Sequence, residues 1–226
     1  MNFVAGEPDC NYNQIFRGID IRIMDGNPKA NGINMAGAQG TSMQDVTVWA
    51  GKGYAGIYGG DGSGGSNINV KVYGGQIGLD YSGTPLNVPT TTNFELHGQT
   101  KAAIQLTGIY DEAAAFVGGR IYPADHTVPA FFNPSPSSLY DQASFIDTII
   151  SYPSVDTNNS CAAFHTTKSL YFQGVYLENC SSLLGSQLML KKCGNYTKEF
   201  LDVAPNAQQQ QFMALNEVAI GTEMAR

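Results

Sequence analysis

Apolar and polar residues alternate along this chain in short runs that stop at Gly, Asn, Asp or Ser and then begin again. Over residues 37–83, "GAQGTSMQDVTVWAGKGYAGIYGGDGSGGSNINVKVYGGQIGLDYSG", every run is too short for a helix and has the two-residue period of a half-buried strand. The segments "FRGIDIRI", "MQDVTVWA", "NINVKVYG" and "TNFELHG" superpose on Ile19, Val46, Val70 and Phe94, at spacings of 27, 24 and 24 residues. A second series, "NGINM", "AGIYGG", "IGLDYSG" and "AAIQLTG", superposes on Ile33, Ile57, Leu79 and Ile104, at spacings of 24, 22 and 25.

A meander of antiparallel strands explains alternation, but not two strand types returning at one shared offset. A coiling chain, with each strand stacked on its counterpart one turn earlier, explains both. The pattern therefore predicts an all-β protein, a right-handed single-stranded parallel β-helix whose coil takes 22 to 27 residues. Ile19, Val46, Val70 and Phe94 are expected to form one inward stack, and Ile21, Val48, Val72 and Leu96 the next. Beyond residue 110 the rhythm loosens. "SFIDTIISY" and "SLYFQGVYLENC" read as later strands, and residues 111–143, around the Pro-rich "YPADHTVPAFFNPSPSSLYDQ", read as a loop insertion between coils. Residues 1–226 are expected to be a single β-helix domain. Solenoid ends need polar caps, and "LNEVAIGTEMAR" reads as another strand starting, so the chain is expected to be a segment of a longer protein or a protomer covered by partners.

Composition narrows the partners. Only 14% of residues are charged, Gly is abundant at 26 residues, and the net charge is -7. No basic surface is available to neutralise nucleic-acid phosphates or anionic headgroups, and no apolar run is long enough to span a bilayer. Cys10, Cys161, Cys180 and Cys193 have no zinc spacing, so they are buried small hydrophobes or, in an oxidising compartment, one or two disulfides. Acceptor triplets for N-glycans begin at Asn158, Asn179 and Asn195, which suits an extracellular or secreted protein.

Chemistry is expected on the outward columns, because outward residues stack as regularly as inward ones. Asp20, Thr47, Lys71 and Glu95 form one column, in which Lys71 beside Glu95 makes a simple ion pair. Asn34, Tyr58, Asp80 and Gln105 form another, with Tyr54 and Tyr81 nearby. Amide, carboxylate and aromatic groups along one groove suit sugar hydroxyls and ring faces, so Asn34, Tyr58, Tyr81 and Gln105 are candidate substrate-binding residues. Asp61 and Ser63 in "GGDGSGG" sit at a Gly-rich corner. Inverting glycoside hydrolysis needs two carboxyls roughly 6.5–9.5 Å apart, and Asp61 and Asp80 are the in-chain candidates. His97, His126 and His165 are scattered without metal-ligand spacing.

"NQIFRGIDIRI", "NGINMAGAQGTSMQDVTV", "AGIYGGDGSGGSNINVKVYGG" and "QIGLDY", about residues 13–108, resemble the pectate-lyase-like β-helix superfamily. Within it they are most similar to the N-terminal β-helix of family 55 glycoside hydrolases, the exo-β-1,3-glucanases. The resemblance implies a hydrolase acting on a β-glucan-type polysaccharide, without a cofactor, in which a second β-helix supplies the acid. By motif match it implies that Gln39 positions the attacking water, with Ser63 as its hydroxyl partner. Asn34 and Met35 stand where that family has His-Trp, and Gly37 stands where it has Gln. Two other readings remain open: a carbohydrate-binding, adhesive or structural module without catalysis, and a polysaccharide lyase.

Overall fold

The computed structural model describes residues 11–82, 88–106, 113–133, 142–158, 160–166, 169–184, 195–202 and 218–219. All regular structure among them is strand. The long strands β1 (Ile15–Arg22), β3 (Ser42–Gly51) and β5 (Ser66–Gly74) run parallel, with Ile19 opposite Val46 and Val46 opposite Val70. The shorter β2 (Asn31–Ala36), β4 (Ala55–Gly60) and β6 (Ile77–Asp80) run parallel in a second sheet. There Ile33, Ile57 and Leu79 lie opposite one another in turn. Both series of the repeat thus stack in the register expected, as a parallel β-solenoid.

Each long strand bends once, at the same place. Gly18, Asp45, Asn69, Asn93, Gly118, Asp147 and Gly174 hold that corner in successive coils, all with φ between +49° and +66°. Only Gly, Asn and Asp enter this left-handed region cheaply, which is why nothing else occupies it. The rungs also touch: the Asn69 side-chain amide donates to the Asp45 carboxylate at 2.8 Å. In the fourth to sixth coils the bend divides the strand into two, first as β7 (Thr90–Thr92) and β8 (Glu95–His97), and in the next coil the strand is again continuous through its bend at Gly174. Every coil therefore has three sides. Two arms belong to a 12-stranded sheet, and the third is one strand of a seven-stranded sheet.

Within residues 111–143, expected as a loop insertion, residues 113–133 instead form a coil, and residues 111–112 and 134–141 lie outside the described residues. β10 (Ala113–Val117), β11 (Arg120–Tyr122) and β12 (Phe131–Asn133) pair with the coils on both sides of them. Pro123 and Pro129 fall between these strands, where a missing N–H breaks no ladder bond. β9 (Ala102–Gln105) precedes this coil. After it come β13 (Gln142–Ile146) and β14 (Ile149–Ser151), within "SFIDTIISY", then β15 (Ala162–Thr166), β16 (Ser169–Glu178) and β17 (Ser182–Leu184). β18 (Asn195–Asp202) pairs antiparallel with β16, and β19 (Val218–Ala219) antiparallel with β18. β19 is the described part of "LNEVAIGTEMAR".

The interior is apolar and narrow. Gly32, Gly56 and Gly78 let the seven-stranded sheet close onto Val48, Val72 and Leu96; a Cβ on Gly56 would lie 2.4 Å from Val72 Cγ1. Farther along, the stack becomes aromatic, with Phe145 face to face with Phe116 at 4.9 Å and edge-on to Phe164 at 4.8 Å. Outside, Arg22 lies over Trp49, and Trp49, Tyr73, His97 and Tyr122 stack ring on ring at 6.2, 5.0 and 4.4 Å. The neighbouring column holds the expected Lys71–Glu95 pair, 3.4 Å apart.

Cys161 and Cys180 form a disulfide across two coils, whereas Cys10 and Cys193 lie outside the described residues. Asp156 braces the loop before it by accepting from the Cys161 backbone N–H at 2.8 Å. Closing a separation of 19 residues restricts the unfolded chain by about 3 kcal/mol. The double variant Cys161→Ala/Cys180→Ala is expected to lose about that much in urea unfolding, and an unchanged midpoint would refute it. The Asn179 amide donates to the Tyr152 carbonyl beside this bridge, whereas Asn158 is exposed.

Candidate functional site

The outward side of the seven-stranded sheet carries the polar column. Asn34 lies opposite Tyr58, Tyr58 opposite Asp80, and Asp80 opposite Gln105, because the alternation that sends Ile33, Ile57, Leu79 and Ile104 inward sends these residues out. Asn34, Tyr58 and Gln105 are partly exposed. Four of the eight sequence-selected residues thus stand in one row.

Asp80 lies beneath this row and has no exposed surface. Its Oδ2 accepts from the Tyr54 hydroxyl at 2.8 Å, and its Oδ1 accepts from the Ser82 backbone N–H at 3.1 Å, the Ser82 hydroxyl and, at 3.4 Å, the Gln105 amide. Burial and the Asp80 carboxylate push the Tyr54 hydroxyl up to about 12, so it remains a donor. Tyr54 also meets Tyr58 edge to face, with ring centroids 6.3 Å apart. The carboxylate is therefore an organiser: it holds Tyr54, Ser82 and Gln105 in place around the row.

Asp61 lies on the inner side of the wall. It has no exposed surface, and neither carboxyl oxygen has a hydrogen-bond partner. Burial pushes its carboxyl up to about 7, opposed in part by the Asn67 side chain. The residues around it are polar but uncharged: the Asn67 amide donates to the Tyr81 hydroxyl at 2.9 Å, and that hydroxyl shares a 2.9 Å bond with Thr91. A carboxyl tuned near neutrality has the right acidity for a general acid. Substrate has no path to this one, and nothing places it across a shared bond from Asp80.

Tyr81, expected to hold sugar, is fully buried and stacks on Phe116 at 6.3 Å. Parity is the reason, since a residue adjacent to the outward Asp80 points inward. Gln39 and Ser63 are exposed and fall on adjacent coils of one corner, where the Gly40 N–H donates to the Ser63 carbonyl at 3.3 Å. Among the described residues, no group of three or more His, Cys, Asp or Glu is placed to hold a metal ion, and no helix is long and apolar enough to cross a membrane.

The row continues past the column expected from the sequence: Gln105 lies opposite Phe132, and Phe132 opposite His165. The signal was present in "AAIQ", "AFFN" and "AFHT", which align on Ile104, Phe131 and Phe164. A scan of protein-family models finds no match to this chain, and a search of curated proteins finds none either.

Proposed function

We propose that this chain is a carbohydrate-binding β-solenoid that takes a β-glucan-type polysaccharide on the outer face of its seven-stranded sheet. One observation carries the reading: Asn34, Tyr58 and Gln105 stand partly exposed in one row, and on the coil between Tyr58 and Gln105 the buried Asp80 fixes Tyr54 and Gln105. Amides and phenols offer both donors and acceptors to hydroxyl groups, and they do so here from a rigid wall, so little ordering entropy opposes binding. The disulfide suits an extracellular setting.

A hydrolase is the second reading, favoured by the exposed Gln39 and Ser63 on adjacent coils. It requires an acid other than the sealed Asp61, such as one supplied by a second β-helix domain or another protomer. The two readings separate in one assay. Binding of soluble β-1,3-glucan is measured by affinity electrophoresis beside release of reducing ends, for the wild type, Tyr58→Ala and Gln39→Ala. Retardation that Tyr58→Ala weakens, with no reducing ends released, is the expected result. Turnover abolished by Gln39→Ala would establish the hydrolase instead, and an unretarded, folded wild type would defeat glucan binding.

A further inference from the structure

The inner and outer faces of the last coils use phenylalanine in different ways. Phe131 and Phe164 are buried and pack in the aromatic stack, as core residues do. Phe132 and His165, one residue later in each strand, are partly exposed on the outer face. The core does not account for a phenyl ring there, and it sits one coil beyond Gln105 in the row that begins at Asn34.

Along that row the exposed groups are amide, phenol, amide, phenyl and imidazole. The carboxylate, Asp80, is covered and committed to Tyr54, Ser82 and Gln105. Partial burial also holds His165 below its ordinary value, so its imidazole is neutral at pH 7. The row therefore presents no exposed charge of its own. With strands about 4.8 Å apart, the five steps from Asn34 to His165 cover ~24 Å along the solenoid axis.

We propose that Phe132 and His165 are the aromatic end of this groove and that its ligand is a neutral, linear polysaccharide lying along the axis. The inference rests on the glycan-binding reading and adds the ligand's direction and two recognition residues. Such a polymer has hydroxyls at its ring edges and C–H groups on its ring faces. The first suit Asn34, Tyr58 and Gln105; the second suit the Phe132 ring. An anionic polymer gains nothing from a row without cations, and a short ligand held at Tyr58 does not reach Phe132.

Isothermal titration calorimetry with β-1,3-gluco-oligosaccharides of increasing length, and with polygalacturonate as the anionic probe, tests this. Affinity of the wild type is expected to rise with length, with no binding of polygalacturonate. Phe132→Ala is expected to weaken long oligosaccharides by about tenfold while leaving the shortest binder unchanged, as the loss of one aromatic contact implies. Phe132→Tyr keeps the ring and is expected to restore long-chain binding, and a thermal melt of each variant confirms folding. Wild-type affinity of Phe132→Ala at every length, together with weakening by Tyr58→Ala, would overturn this inference and leave glucan binding standing. Preference for polygalacturonate would overturn the neutral ligand, and a folded wild type that binds neither polymer would overturn both readings.

Discussion

Replacing Asp61 with Asn is expected to stabilise the protein at pH 8 and to leave it unchanged at pH 3. The folded carboxyl titrates at about 7, against an ordinary value of 3.8. Below about 4 both the folded and the unfolded chain hold the proton, and burial then carries no ionic penalty. Between about 4 and 7 only the folded chain holds it, so stability falls as pH rises through that window; above about 7 the folded protein carries a buried, unpartnered charge. At about 1.4 kcal/mol per unit, the difference reaches an upper limit of about 4 kcal/mol. Asn is nearly the same shape and cannot ionise. Urea unfolding of Asp61→Asn and wild type at pH 3, 5.5 and 8 would check this, and parallel curves at all three values would refute it. Because Asp61 has no exposed surface, glucan binding is expected to survive the change.

Gly59→Ala is expected to abolish the fold or to cost more than about 4 kcal/mol, the range reserved for a small set of severe defects. Gly59 has φ +96°, and a Cβ there would lie 1.7 Å from the Met35 carbonyl oxygen, an atom held in the adjacent strand. Neither backbone has room to yield. Gly64 is the control: its φ is +74°, but a Cβ would meet nothing within 4 Å. Gly64→Ala is expected to cost only the left-handed penalty, about 1–2 kcal/mol. Solubility and thermal melts of the two variants decide the matter. Equal losses would mean that strain, and not the clash at Met35, sets the cost.

Much of the architecture was legible because a solenoid writes its packing at a fixed sequence offset. Ile19, Val46 and Val70 share an environment, and so do Ile33, Ile57 and Leu79, which made the register readable before any contact was known. The columns Lys71–Glu95 and Tyr58–Asp80–Gln105 followed from it. The coil of residues 113–133 was hidden because its corners carry proline and its strands are only three to five residues long. Composition there resembles a loop, and only the pairing with both neighbours reveals the coil. Asp61 was misleading for a different reason: "GGDGSGG" has the residues of an exposed turn, yet Ser63 and Gly64 take the surface and Asp61 is turned inward against Asn67 and Tyr81. Tyr81 is next to the outward column in sequence, but strand parity turns it inward.

Trp49 is the one tryptophan in the chain, and it lies in β3, under Arg22 and against Tyr73. The disulfide clamps coils near the opposite end of the described solenoid. The molecule thus carries a fluorophore at one end of its axis and a covalent lock towards the other. In a stack where each coil touches only its neighbours, the ends can melt separately. Tryptophan emission reports on the unlocked end, while the far-ultraviolet signal averages over all coils. Coincidence of the two during unfolding would mean that the stack behaves as one cooperative block, and an earlier change in emission would mean that it unwinds from β1 inward.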